Sequence, residues 1–256
     1  MQTPTRARKQ GTSYWDASRA HRYSLLFALP LLLLYEALAA VLARDPSVGG
    51  VRNGADVLLK GLFVAAIGWR GPLVFMLGVV CVSLWLVGRD MRAHGSQLRA
   101  WIFGGMVVES VVLAGALGVV VGALTVRLLG PLGALAAGSD LESMSWTARL
   151  MLSVGAGLYE ELLFRVVLVT ALAGGARAAF GWGRGASGVV ATILGALIFS
   201  AFHYVGPYGD EFALQSFTFR AIAGVMFSSL YLTRGFGITA WTHAMYDVMV
   251  LMVWAE

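Results

Sequence analysis

Long apolar runs alternate along the chain with short polar, glycine-rich or charged breaks, and the lengths of the runs set the first reading. Residues 24–43 make an unbroken run of about twenty residues, what a helix needs to cross the hydrocarbon core of a bilayer. Further runs at 73–87, 100–126, 146–173, 186–204, 217–232 and 236–254 read as six more crossing helices. Residues 57–69, closed by Gly71-Pro72, are too few to cross and read as an interfacial or re-entrant helix, with Asp56 as its cap. The expected fold is all-α, a polytopic membrane helical bundle of about seven transmembrane helices plus that one short helix.

Composition supports this class. Of 256 residues, 58% are hydrophobic and only 13% charged, too little charge to cover the surface of a soluble protein of this length. The net charge of +5 comes from basic residues scattered between apolar runs, so no groove-sized patch for nucleic acid is formed. Their placement orients the chain instead: with the amino terminus cytoplasmic, eleven Lys and Arg fall on the inner side and six on the outer. A bacterial inner membrane fits a chain of this type. The run at 24–43 exceeds the core of a signal peptide, so despite Ala37-Leu38-Ala39 it reads as an uncleaved span. Three segments result: a basic tail at 1–23, amino-terminal helices at 24–145, and a core at 146–256. Cys81 is the only cysteine, which excludes an intrachain disulfide and a cysteine-based metal site.

The run at 146–173 carries Glu160, Glu161 and Arg165 near its middle. Each such group costs roughly 2.5 to 3.5 kcal/mol at the centre of a membrane helix. Residues four apart share an α-helical face, so Glu161 and Arg165 can pair while Glu160 and Phe164 form a second column. One carboxylate is thereby neutralised and Glu160 is left for chemistry. Phe199 precedes His203 by four residues, and His243 precedes Asp247 by four. Together these groups, on three helices at similar depth, read as one buried polar cavity. Glu36 lies near an interface and is a lesser candidate; Glu109 is expected to face the bundle interior. Gly115, Gly118 and Gly122 form a small-residue ladder whose Gly118/Gly122 pair has the spacing for close helix approach.

Such a cavity has the parts for hydrolysis: Glu160 to deprotonate water, His203 to share the proton, and His243 to donate to the oxyanion. Glu160, His203, His243 and Asp247 are also acceptable ligands for zinc, which would activate the same water, although no HExxH is present. No cofactor is needed on the first route; zinc is the alternative.

Glu160-Glu161-Leu-Leu-Phe-Arg165, Phe199-Ser-Ala-Phe-His203 and His243-Ala-Met-Tyr-Asp247 resemble the EExxxR, FxxxH and HxxxN/D motifs of the CPBP family. These are intramembrane proteases related to the prenyl-protein (CAAX) endopeptidase and to bacteriocin-processing proteins. The resemblance spans residues 146–250. It implies Glu160 as base, His203 as its partner, Glu161 with Arg165 and Phe199 as supporting residues, and His243 with Asp247 on the oxyanion side. Where other members have asparagine, an ionised Asp247 cannot donate a hydrogen bond, so it must be protonated, orient and charge His243, or bind a metal. Family labels divide between glutamate-type peptidase and metalloprotease. Relatives act in CAAX processing, bacteriocin processing, immunity and removal of C-terminal sorting signals.

The expected function is therefore an intramembrane endopeptidase, with membrane lipid around it and a membrane-anchored protein or peptide as substrate. The rivals are a proton-coupled transporter using the same groups as a relay, and a non-catalytic immunity or partner-binding membrane protein. No internal repeat of the transporter kind is present. Substrate identity and oligomeric state are not specified by these residues.

Overall fold

The computed structural model describes residues 13–44, 50–130, 144–206 and 209–253. The basic residues Arg6, Arg8 and Lys9, the acidic Asp140 and Glu142, and the last residue of the run at 236–254 lie outside them. The described chain is helical throughout: α1 (Tyr14–Arg19), α2 (His21–Leu42), α3 (Gly54–Ile67), α4 (Gly71–His94), α5 (Ala100–Leu129), α6 (Trp146–Gly155), α7 (Thr170–Phe180), α8 (Arg184–Phe202), α9 (Leu214–Arg234) and α10 (Phe236–Val253).

Five helical stretches among the described residues are long and apolar enough to cross a membrane, the hairpin of α3 and α4 being taken as one. The protein is an all-α integral membrane bundle. Large apolar side chains stand outward along it, among them Leu33 on α2, Leu77 and Leu84 on α4, Val108, Val112 and Val119 on α5, and Val189 and Ile193 on α8. In water these faces would be a liability; in a bilayer they meet lipid, while each helix satisfies its own backbone groups.

α10 is the centre of the bundle. It supplies Ala240 and Ala244 to a core with α2, α3, α4 and α6, Ile238 to a second core with α1, α2 and α5, and Tyr246 to a third with α5 and α9. At one end the start of α10 meets the start of α2, where Ser24 Oγ accepts the Gly237 N–H at 2.8 Å. The same end carries a clasp around Arg234. Its Nε and Nη2 donate to Glu109 at 2.5 and 2.7 Å, Nη2 also donates to Ser18 Oγ, and the guanidinium lies 3.7 Å from the centre of the Trp15 ring. Tyr14 Oη–H donates to Glu109 Oε2, the oxygen that also accepts from Arg234 Nη2, at 2.6 Å. Burial, and then the Glu109 carboxylate beside it, pushes the Tyr14 phenol well above its usual range, so it stays a donor. Glu109 thus faces inward as a tie between α1, α5 and α9.

Several expectations are corrected. Asn53, not Asp56, caps α3: its Oδ1 accepts the Ala55 N–H at 2.9 Å. Asp56 is fully buried in the first turn, accepting from Tyr35 Oη–H at 2.8 Å and from Arg52 at 3.0 Å. The short helix is α3, fourteen residues or about 21 Å. It folds back through Gly68–Arg70 so that Phe63 meets Phe75 of α4 at 5.4 Å between ring centres. The glycine ladder of α5 is not a seam: a Cβ on Gly115 or Gly122 would touch nothing, and on Gly118 only Tyr246 at 3.8 Å. The run at 146–173 extends to Phe180, taking in Arg177, and stops at Gly181, whose φ of +66° ends the helix in the left-handed region. Its middle is not α-helical, as described below.

The clasp yields a stability prediction. Glu109→Gln leaves Arg234 buried without its anion, which costs about 3 kcal/mol, and the double variant with Arg234→Met recovers part of the loss. Thermal unfolding of the detergent-solubilised protein is the check, and equal melting temperatures for wild type and Glu109→Gln would contradict it.

Candidate active site

Two carboxylates enter the interior from one helix turn. Between α6 and α7 the backbone widens to π-helical, i→i+5 geometry over Ala156–Val169, where Glu160, Glu161 and Arg165 all sit. The sequence pattern was read with α periodicity, and nothing such as a proline in this stretch signals the change. Every residue from Ala156 to Glu161 is buried, so at this level the helix is enclosed on all sides and has no solvent stripe. Gly157 allows this: a Cβ there would collide with the Ala240 carbonyl and come within 2.7 Å of Ala244, so α10 lies almost backbone to backbone against the π segment.

That close approach joins Glu161 to Arg165 and His243. Its Oε1 lies 3.1 Å from Arg165 Nη1 and 2.6 Å from His243 Nδ1. Glu161 and Arg165 are fully buried and His243 nearly so. Glu161 is therefore shared between helices and is not only the partner of Arg165 along its own helix. The Arg165 guanidinium lies over the faces of Phe199 and Phe227, at 4.5 and 5.7 Å from their ring centres. Aromatic faces attract a cation where no further anion is supplied.

His243 is fixed on both sides of its ring. A carboxylate accepts, so Nδ1 carries the proton given to Glu161. Nε2 turns toward Asp247 Oδ2 at 3.7 Å, within ion-pair range but beyond a hydrogen bond. Phe227 of α9 stacks on the imidazole with ring centres 4.3 Å apart and planes 19° from parallel.

His203 lies one residue beyond α8, as its C-cap, and not inside the helix as the run at 186–204 suggests. Its Nδ1 donates to the Phe199 carbonyl at 3.0 Å, which leaves Nε2 as the lone-pair nitrogen of the neutral ring. Phe199 meets His203 edge-on at 5.0 Å. One aromatic ring thus has Arg165 on its face and His203 at its edge.

Glu160 projects from the same π segment as Arg165. It interacts electrostatically with His203, His243 and Arg165, and Asp247 in turn with His243 and both glutamates. The five polar groups singled out in the sequence, with Arg165, therefore gather in one place. Glu160 is not without a partner, however: Asn53 Nδ2 donates to its Oε1 at 2.8 Å. Asn53 and Phe227 are the site residues that the motifs did not reveal. Asn53 had one legible signal, its suitability as a helix cap, which had been assigned to Asp56; Phe227 had none.

Glu36, the lesser candidate, belongs to an adjoining network. It accepts from Tyr159 Oη–H and Lys60 Nζ, both at 2.7 Å, and lies 3.5 Å from Arg52. The network borders a cleft lined by Asp56, Val57, Lys60 and Met76.

As a zinc site the geometry does not fit. Among the described residues no three or more His, Cys, Asp or Glu side chains converge as a ligand set. Glu160, His203 and His243 each have one atom engaged instead with a separate partner, Asn53, the Phe199 carbonyl and Glu161.

Compared with known families, residues 142–249 match the one described as type II CAAX prenyl endopeptidase Rce1-like. Over this stretch the chain carries an Rce1-like domain. No curated protein and no solved structure matches the chain. The Rce1-like domain holds Glu160, Glu161, Arg165, Phe199, His203, Phe227, His243 and Asp247, and leaves out Asn53 and Glu36.

The two adjacent glutamates should behave differently. Glu161→Gln strands Arg165 and His243 and is expected to cost about 3 to 5 kcal/mol, whereas Glu160→Gln can still accept from Asn53 and should fall within about 1 kcal/mol of wild type. Thermal unfolding of the two purified variants side by side decides this; equal losses would refute it.

Proposed function

We propose that the protein is an intramembrane endopeptidase that hydrolyses a peptide bond in a membrane-embedded or lipid-anchored segment. The observation that carries the reading is the joining, inside an Rce1-like domain of a membrane bundle, of a carboxylate held by one amide to two histidines whose protons are already assigned by their partners. Glu160 takes a proton from water, and the hydroxide attacks the scissile carbonyl. His203 receives or passes that proton through its free Nε2. His243, its Nδ1–H committed to Glu161, serves the oxyanion through Nε2–H as the imidazolium, the form that pairs with both flanking carboxylates. Asp247 orients and charges His243; it need not donate. Collapse of the tetrahedral intermediate returns the proton to the leaving amine. Glu161 and Arg165 hold the turn, and Phe199 and Phe227 exclude water from the ion pair.

In this reading the mechanism is of the glutamate type and the enzyme belongs to the CPBP group. The described spans are completed to about seven by α9 and α10, with α3 as the re-entrant or interfacial helix. The amino terminus is cytoplasmic, in a bacterial inner membrane. A CAAX-like or C-terminal sorting signal is the substrate class in view.

The test compares terminal peptides of membrane and secreted proteins from cells carrying wild type or Glu160→Gln at equal expression. Termini that vanish in the variant are expected and would name the substrate. Identical profiles would refute proteolysis.

A further inference from the structure

The residue that touches Glu160 comes from outside the Rce1-like domain. Asn53 and Glu160 are both buried, at 6% and 7% exposure, and 107 residues separate them. Asn53 is held from every side. Its Oδ1 is spent on the Ala55 N–H, so the amide is oriented with Nδ2 toward the glutamate. Its own backbone N–H donates to Tyr35 Oη at 3.2 Å, and that hydroxyl donates to Asp56, which Arg52 and Lys60 neutralise. Gly155 makes the approach possible: a Cβ there would come within 2.9 Å of the Asn53 Cβ and 2.5 Å of the Tyr35 ring. On the far side Gly54 abuts Phe202, next to His203, with 3.3 Å for a Cβ.

An unpartnered carboxylate in this cavity could turn toward His203, His243 or Arg165. The amide of Asn53 removes that freedom by taking Oε1, and among the described residues Oε2 receives no hydrogen bond. We infer that Asn53 is a positioning residue for the reaction: delivered by the start of α3, it holds Glu160 Oε1 so that Oε2 faces the water to be activated. The inference rests on the protease reading and extends the machinery to α3.

Capping and positioning can be separated, because the two functions use different atoms. Ser and Thr both cap helices as Asn does, but their hydroxyl is one bond shorter than the amide nitrogen and, spent on the cap, stops short of Glu160. The full chain in liposomes is therefore compared as wild type, Asn53→Ser and Asn53→Thr. A synthetic peptide containing the bond found by the terminus comparison gives kcat and KM. Dicyclohexylcarbodiimide, which adds to protonated carboxyl groups in apolar surroundings, gives the labelling rate of Glu160 at pH 7 by mass spectrometry, with no substrate needed. A lost hydrogen bond to a charged group corresponds to about tenfold or more. Expected are a near-wild-type melting temperature, kcat lower by about that factor with KM little changed, and labelling faster by a similar factor. Wild-type labelling in the variants overturns the inference, as does wild-type kcat wherever cleavage is measured. Unfolding of both variants overturns it too, since Asn53 would then be a fold determinant. If no bond is cleaved in a Glu160-dependent way, the protease reading fails, and the labelling rate still decides whether Asn53 governs Glu160.

Discussion

The buried charge of Glu161 is the constraint around which the interior is built. A buried carboxylate must find partners, and it finds two, the Arg165 guanidinium on its own helix and the His243 N–H on α10. Each is in turn flanked by aromatic rings, Arg165 by Phe199 and Phe227, and His243 by Phe227. Removing either member of the Glu161–Arg165 pair would leave the other charged in an apolar medium, which is far more costly than never having buried them. The hydrogen bond to His243 fixes the register of the π segment against α10. Gly157 is the steric condition for this, since any side chain there would hold the two backbones apart.

Much of this was legible in the chain, for a physical reason. Hydrocarbon tolerates few charges, so Glu160, Glu161, Arg165, His203, His243 and Asp247 stand out from the apolar runs that surround them. Run length likewise gave helices near their observed places, with α3 separated because it is too short to cross. What the pattern did not carry was anything dependent on which face meets which. The ladder at Gly115, Gly118 and Gly122 has the right spacing but largely faces outward, while the glycines that admit neighbours, Gly155 and Gly157, lie in no such motif. The π geometry was equally hidden, because apolar side chains buried on all sides leave no periodicity to read. Asn53 was missed because its meaning lies in a contact across 107 residues.

Two buried polar clusters show how structure and chemistry divide the charges. At Arg234 the donors and acceptors meet closely: Glu109 accepts from Nε, Nη2 and a tyrosine hydroxyl, Ser18 from Nη2, and the Trp15 carbonyl from Nη1. At the site the account is left open. Glu161 Oε2 has no hydrogen-bond partner among the described residues, Arg165 rests on rings in place of further acceptors, and His243 Nε2 stops short of Asp247. Saturated networks are rigid and inert, whereas groups with unspent donors and acceptors can engage a substrate carbonyl or a water.

The boundary of the Rce1-like domain is therefore not the boundary of the site. The domain supplies both glutamates and both histidines, whereas the group that hydrogen-bonds Glu160 is Asn53. That group comes from α3, a helix too short to cross the membrane, which is set by the ion pairs of Arg52, Asp56, Lys60 and Glu36 against Tyr35 and Tyr159. A network of this strength at the mouth of a cleft gives α3 a defined seat. A displacement of α3 from that seat would carry Asn53 with it, because the same residue begins the helix and holds the carboxylate. The amino-terminal half of the chain thus meets Glu160 through the Asn53 amide, and on the proposed reading the geometry of Glu160 depends on how firmly α3 is held.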